Sequence, residues 1–112
     1  MSPHDRWRVG HMVEAAEQAL AFVAGRSRAD LDTDMMLRMA LTRAVQIIGE
    51  AATQTSDAAR AELPAVPWRQ IAGMRNRLVH AYFDVDADIL WVAATVEVPA
   101  LLAQLKSVAP KA

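Results

Sequence analysis

Residues 67–83 read PWRQIAGMRNRLVHAYF. Ile71, Met74, Leu78 and Ala81 recur at spacings of three and four, so at about 100° per residue they share one side of an α-helix. Pro67 suits the first helical position, where its missing N–H costs nothing. The pattern predicts a helix across the whole stretch with that side in the core. On a straight helix Asn76 and His80 lie about 40° apart with Arg69 between them, and Arg75 and Tyr82 about 20° apart. Ala72, Val79 and Phe83 fall between these polar stripes and are expected to meet a partner surface.

The same periodicity extends outward in both directions. Ser2, Pro3 and Asp5 read as a helix start: a serine cap, a proline at the first position and an acid in the first turn. Val9, Met12 or Val13, Ala16, Leu20 and Val23 form its apolar stripe, with Arg8, Glu14, Glu17 and Gln18 facing away. This helix should run toward Gly25. After GRSRADLD, Asp32 or Thr33 caps a second helix that buries Leu37, Leu41, Ala44, Ile48 and Ala51 and fades near QTSD. Downstream, DVDAD provides an acidic cap for a last helix, which Pro99 should kink or break. No stretch alternates like a strand, so the expectation is all-α: an up-and-down bundle of four main helices. Without repeats or linkers it should form a single domain over residues 1–108, with 109–112 as a short tail.

Composition narrows the function. The 112 residues contain no cysteine, which removes disulfides and thiolate chemistry and agrees with a cytoplasmic setting. By the sequence reading no apolar run approaches the ~20 residues that cross a bilayer, so no membrane partner is expected. The net charge of −1 argues against a uniformly basic surface, and nucleic-acid contact would have to be local or built from more than one chain.

Arg75 and His80 together suit phosphodiester chemistry. Arginine donates a planar fork of N–H groups to phosphate oxygens, and histidine exchanges protons near neutrality. The imidazole can take a proton from a ribose 2′-hydroxyl or give one to a leaving 5′-oxygen, while the guanidinium offsets charge in the transition state. Asn76 and Tyr82 can orient substrate, water or the imidazole. On a straight helix Arg75 and His80 point about 140° apart, so two copies of the helix, as in a homodimer, would be needed to close the site. The scheme requires no cofactor and no metal, and His4, His11 and His80 lie too far apart in sequence to suggest a ligand set.

Arg75, four residues beginning with Asn76, then His80, Ala81 and Tyr82 resemble the R-x4-H-x-Y signature of HEPN-domain ribonucleases. IIGEAA (47–52), PWRQIAGMRNRLVHAYFDVD (67–86) and ILWVAATVEVPALLAQL (89–105) extend the resemblance to the HepT toxin family over most of the chain. That resemblance implies a HEPN-like helical homodimer with its metal-independent RNase cleft at the two-fold interface. It implies catalysis by Arg75, Asn76 and His80. It further implies silencing by a minimal nucleotidyltransferase (MNT) antitoxin that transfers AMP onto Tyr82, placing charge and bulk beside Arg75. Arg43, Glu50, Arg69 and Arg77 are candidates for RNA contact or for supporting the site. The alternative is a noncatalytic HEPN module that binds a nucleotidyltransferase or a nucleotide.

Other features have plainer readings. Met35, Met36 and Met39 are expected as core and interface filler. Asp84, Asp86 and Asp88 precede a helix and are expected as capping groups. Trp7, Trp68 and Trp91 are expected to pack against apolar neighbours.

Overall fold

The computed structural model describes residues 1–81 and 84–106, with Val79–Ala81 and Asp84 described by backbone alone. The protein is an all-α bundle. Helix α1, Pro3–Val23, starts as its sequence dictates: the Ser2 hydroxyl oxygen accepts from the Asp5 N–H and Pro3 opens the first turn. Val9, Met12 and Ala16 are buried while Leu20 and Val23 are partly so. The chain leaves α1 through Gly25, whose φ of 71° is the left-handed conformation that glycine adopts without steric penalty.

Residues Asp30–Thr33 form a short helical turn, α2, ahead of α3, Met35–Gln54. The cap of α3 is therefore Asp34, which accepts from the Leu37 N–H at 3.0 Å, in place of the expected Asp32 or Thr33. Asp30, at the start of α2, instead accepts from Ser27 N–H and Arg26. Leu37, Leu41, Ala44 and Ile48 of α3 are buried, Ala51 is partly so, and α3 makes its most extensive contact with α1.

Helix α4, Asp57–Glu62, precedes the proline-bracketed loop. Its cap, Ser56, is tied to the start of α1. The Ser56 N–H and hydroxyl both donate to the Asp5 carboxylate, at 2.9 and 2.7 Å. Opposite the loop, the Trp68 indole N–H donates to the Leu63 carbonyl at 3.1 Å and its ring is buried.

The predicted third helix is shorter and divided. It comprises α5, Trp68–Ala72, and α6, Met74–Leu78, joined at Gly73. Pro67 stands at the cap of α5 and does not occupy its first position. The core face holds across the join, with Ile71, Met74 and Leu78 buried. Ala72 packs against the same core, so it does not present the free apolar stripe expected of it.

Past Leu78 the backbone becomes extended. β1, Val79–Ala81, pairs antiparallel with β2, Asp84–Val85, in a short irregular ribbon. The Asp86 N–H closes it by donating to the Leu78 carbonyl at 2.7 Å. The angles expected between Arg75 or Asn76 and positions 80 and 82 required a helix reaching Phe83, and they lapse because the helix ends five residues earlier. β-Branched Val79 favours extended backbone, and periodicity alone does not register that.

The last segment comprises α7, Ala87–Val92, a π-helical turn over Ala93–Glu97, and α8, Val98–Lys106. Asp86 caps α7 by accepting from the Ile89 N–H, as expected of the acidic run. The expected irregularity near Pro99 is the π turn, in which the Val98 N–H reaches back five residues to the Ala93 carbonyl. Proline has no N–H and crowds the carbonyl four residues before it, and a widened turn relieves both. Contrary to the sequence expectation, Ala87–Lys106 is long and apolar enough to cross a membrane by length and composition. Much of that apolar character serves the bundle, since Leu90, Ala93, Ala94, Val98, Leu101, Leu102 and Leu105 are buried in the common core. The proposed tail, 109–112, lies outside the described residues.

Candidate functional site

The motif helix α6 is held on its inner side and open on its outer side. Met74 and Leu78 are fully buried, which fixes the rotation of the helix and turns Arg75, Asn76 and Arg77 outward. Behind it lies α3, approaching closely at Gly49. A Cβ placed on Gly49 would meet the Ile71 carbonyl oxygen at 3.5 Å and the Arg75 Cβ at 4.0 Å. The root of Arg75 is thereby set against α3.

The two arginines of α6 differ in their surroundings. Arg77 is committed: its guanidinium donates to Glu97 at 3.0 Å and to the Gln70 carbonyl at 3.3 Å, clamping α6 to the π turn and to α5. Arg75 is exposed and makes no side-chain hydrogen bond or ion pair with any described residue. Its fork of N–H groups is free to meet an anion. Asn76 is exposed beside it, and Arg69 is exposed on α5. The side chain of His80 and the whole of Tyr82 and Phe83 lie outside the described residues, and the roles expected of them rest on the sequence. The β1 backbone nonetheless carries position 80 directly out of α6. The ribbon is tied to α3 by Arg38, which donates to the Val85 carbonyl.

Arg43 and Glu50 face each other along α3 at 3.6 Å, both largely exposed. They do not pair with polar residues of α5 or α6, because their own seven-residue spacing already brings them together. Asp88 pairs with Arg28 at 2.6 Å, and that anchors α7 to the loop before α2.

One expectation fails in part at the surface and another fails outright. Met36 is 82% exposed and Met35 and Met39 about two-thirds exposed, so of the core and interface roles expected of them the core role does not hold. They stand at the N-terminal end of α3 on the side away from Leu37 and Leu41, so core packing does not explain them. Trp7 is 61% exposed, unlike Trp68 and the half-buried Trp91. Its ring lies against His11, with centroids 4.1 Å apart and planes tilted by 46°. The signal was present in the sequence, since Trp7 and His11 are four residues apart and off the Val9, Met12, Ala16 stripe.

A family model described as "Ribonuclease HepT-like" matches residues 12–108, from the middle of α1 through α8. The chain belongs to the HepT-like ribonuclease family. A relative from Caldanaerobacter subterraneus subsp. tengcongensis, named as a candidate RNase, is 37% identical over 101 residues, covering 90% of each chain. Another from Methanocaldococcus jannaschii, named in the same way, is 32% identical and covers 87% of this chain and 89% of its own. A third, from Thermococcus cleftensis, carries the name of a probable ribonuclease HepT and is 36% identical over 80% of this chain and 82% of its own. No solved structure gives a significant match. Family membership thus attaches a ribonuclease assignment to a bundle whose outer face displays Arg75 and Asn76.

Proposed function

We propose that this protein is a metal-independent endoribonuclease toxin of the cytoplasm, acting as a homodimer through Arg75, Asn76 and His80. In the cleavage step the 2′-hydroxyl loses its proton to an imidazole and attacks the adjacent phosphorus. The bond to the 5′-oxygen breaks, that oxygen gains a proton, and a 2′,3′-cyclic phosphate remains. Arg75 holds the phosphate oxygens through charge-assisted hydrogen bonds and offsets the charge that accumulates on them. His80 serves the proton transfers and Asn76 orients the reacting groups.

The observation that carries this reading is the contrast on α6 of a ribonuclease-family chain: Arg77 is consumed by structure and Arg75 is left open. The homodimer rests on the family resemblance, which puts the cleft at a two-fold interface, since the straight-helix angle that also called for two copies lapses where α6 ends at Leu78. An MNT antitoxin would silence the site by AMPylating Tyr82, because a nucleotide there brings negative charge and bulk into the region where substrate phosphate binds.

The test is RNA cleavage in the presence of a chelator. The wild type should cut, and His80→Ala should be slower by about 10²–10⁴-fold, the usual worth of a positioned general acid or base. Equal cleavage by the two proteins refutes the assignment. Mass spectrometry after coexpression with the nucleotidyltransferase should find AMP on Tyr82 and none on Tyr82→Phe.

A further inference from the structure

Two adjoining hollows cross the face of α3. One, of about 320 Å³, lies between α1 and α3 and is lined by Trp7, Arg8, His11, Arg43, Ile47 and Glu50, among others. The second, of about 540 Å³, runs along α3 past Arg38, Thr42, Arg43 and Gln46 to Val85 of the ribbon. Arg43 lines both, so they form one groove leading from the motif ribbon to the exposed indole. Each has the size of a ligand site.

We propose that this groove is the bed for single-stranded RNA flanking the scissile phosphate, with a base stacked on Trp7 and backbone phosphate held by Arg43 near the positive charge of Arg8. The inference rests on the ribonuclease reading and extends it from the cut bond to the strand on one side. Its chemistry fits that occupant. Trp7 offers an open aromatic face backed by His11, the kind of platform that accepts any base. Among the described lining side chains Arg8, Arg38 and Arg43 stand with a single acid, Glu50, although the chain as a whole carries a net charge of −1. That local excess is the footprint a polyanion requires.

Arg43 is also available: among the described residues its side chain is held by the exposed, 3.6 Å contact with Glu50 alone, which a phosphate can displace. Arg8 is half-buried and near enough to Asp5 to lower the Asp5 pKa, and the Arg8 Nε is enclosed without a hydrogen-bond partner among the described residues, so Arg8 adds positive charge to the wall of the hollow. Polar Gln46 and Thr42 stand beside the arginines and suit ribose and phosphate, while the exposed Met35 and Met39 of the same hollow offer apolar surface to a base.

The experiment uses the full chain and fluorescein-labelled 2′-O-methyl RNA 12-mers of adenine and of uracil. These have no free 2′-hydroxyl and cannot be cut. Trp7→Ala should weaken binding about tenfold, with Trp7→Phe recovering much of the loss, because stacking needs only a flat ring. Arg43→Gln should reduce the slope of log affinity against log salt by about 0.7, the value for one phosphate contact to a single strand. Light scattering should show each variant in the same oligomeric state as the wild type.

Unchanged affinity in Trp7→Ala overturns the proposal. So does AMP binding as tightly as the 12-mers with the same Trp7 dependence, which would mark a mononucleotide site. A fall in particle mass on substitution of Trp7 also overturns it, because the face would then be a contact between protein copies. Binding is read without cleavage, so the two readings fail separately. Trp7-dependent binding without RNA cleavage removes the enzyme assignment alone, and His80-dependent cleavage with Trp7-independent binding removes the groove alone.

Discussion

Gly49 of α3 lies against Arg75 of α6, and a methyl group in place of its hydrogen would stand 4.0 Å from the Arg75 Cβ and 3.5 Å from the Ile71 carbonyl oxygen. Those are ordinary contact distances, so alanine fits without displacing α6. Alanine also gains about 1 kcal/mol over glycine inside a helix. Gly49→Ala should therefore keep cleavage and hold or raise the melting temperature. Gly49→Leu should push α6 outward and lower both. Full activity in Gly49→Leu would show that α3 does not set the position of Arg75.

Arg75→Lys retains the charge but gives up the planar fork. If the guanidinium grips phosphate through two N–H groups, lysine should leave most of the activity lost, and Arg75→Ala slightly more. Melting temperatures should stay near wild type, because Arg75 makes no described side-chain bond. Steady-state cleavage beside thermal denaturation separates the two effects, and a lysine variant of wild-type activity would remove the bidentate argument.

Breaking the clamp that holds α6 should have a different signature. Arg77 and Glu97 pair at 3.0 Å with both side chains partly exposed, and such pairs contribute less than about 1 kcal/mol. Glu97→Gln should barely alter denaturant unfolding. Leu78→Ala, at a fully buried position, should cost about 2–5 kcal/mol through the lost side chain and the remaining cavity. Urea titrations of the two variants test this ordering directly.

Acid should loosen the junction of α1 and α4. The Ser56 N–H and hydroxyl, with smaller help from Ser2 and Arg8, lower the Asp5 pKa from 3.8 to about 2. A carboxyl whose folded pKa is depressed adds stability that is fully present above its unfolded pKa and is lost as pH falls toward the folded value. Stability should thus decline between about pH 4 and pH 2 partly on account of Asp5. Asp5→Ala should be less stable than wild type at neutral pH and should show a shallower decline over that interval. An unchanged slope would mean that Asp5 does not titrate with unfolding.

Legible in the sequence were the class of fold, the Ser2 cap, an acidic cap within the run from Asp84 to Asp88, the core face through Ile71, Met74 and Leu78, and the family to which the chain belongs. These are local or periodic properties: a cap needs a side chain within three residues, and a core stripe needs only the helical repeat. The end of the motif helix was not legible. Periodicity continues through Ala81, while the backbone is extended from Val79, where pairing with β2 and the tie from Arg38 replace helical hydrogen bonds. Nor could sequence distinguish the committed Arg77 from the open Arg75, since the partner Glu97 lies twenty residues away. Spacing put Trp7 off the core stripe of α1, but the packing of the bundle decided that this side stays 61% exposed, because exposure depends on which neighbouring helix covers a face and helical spacing records only the face.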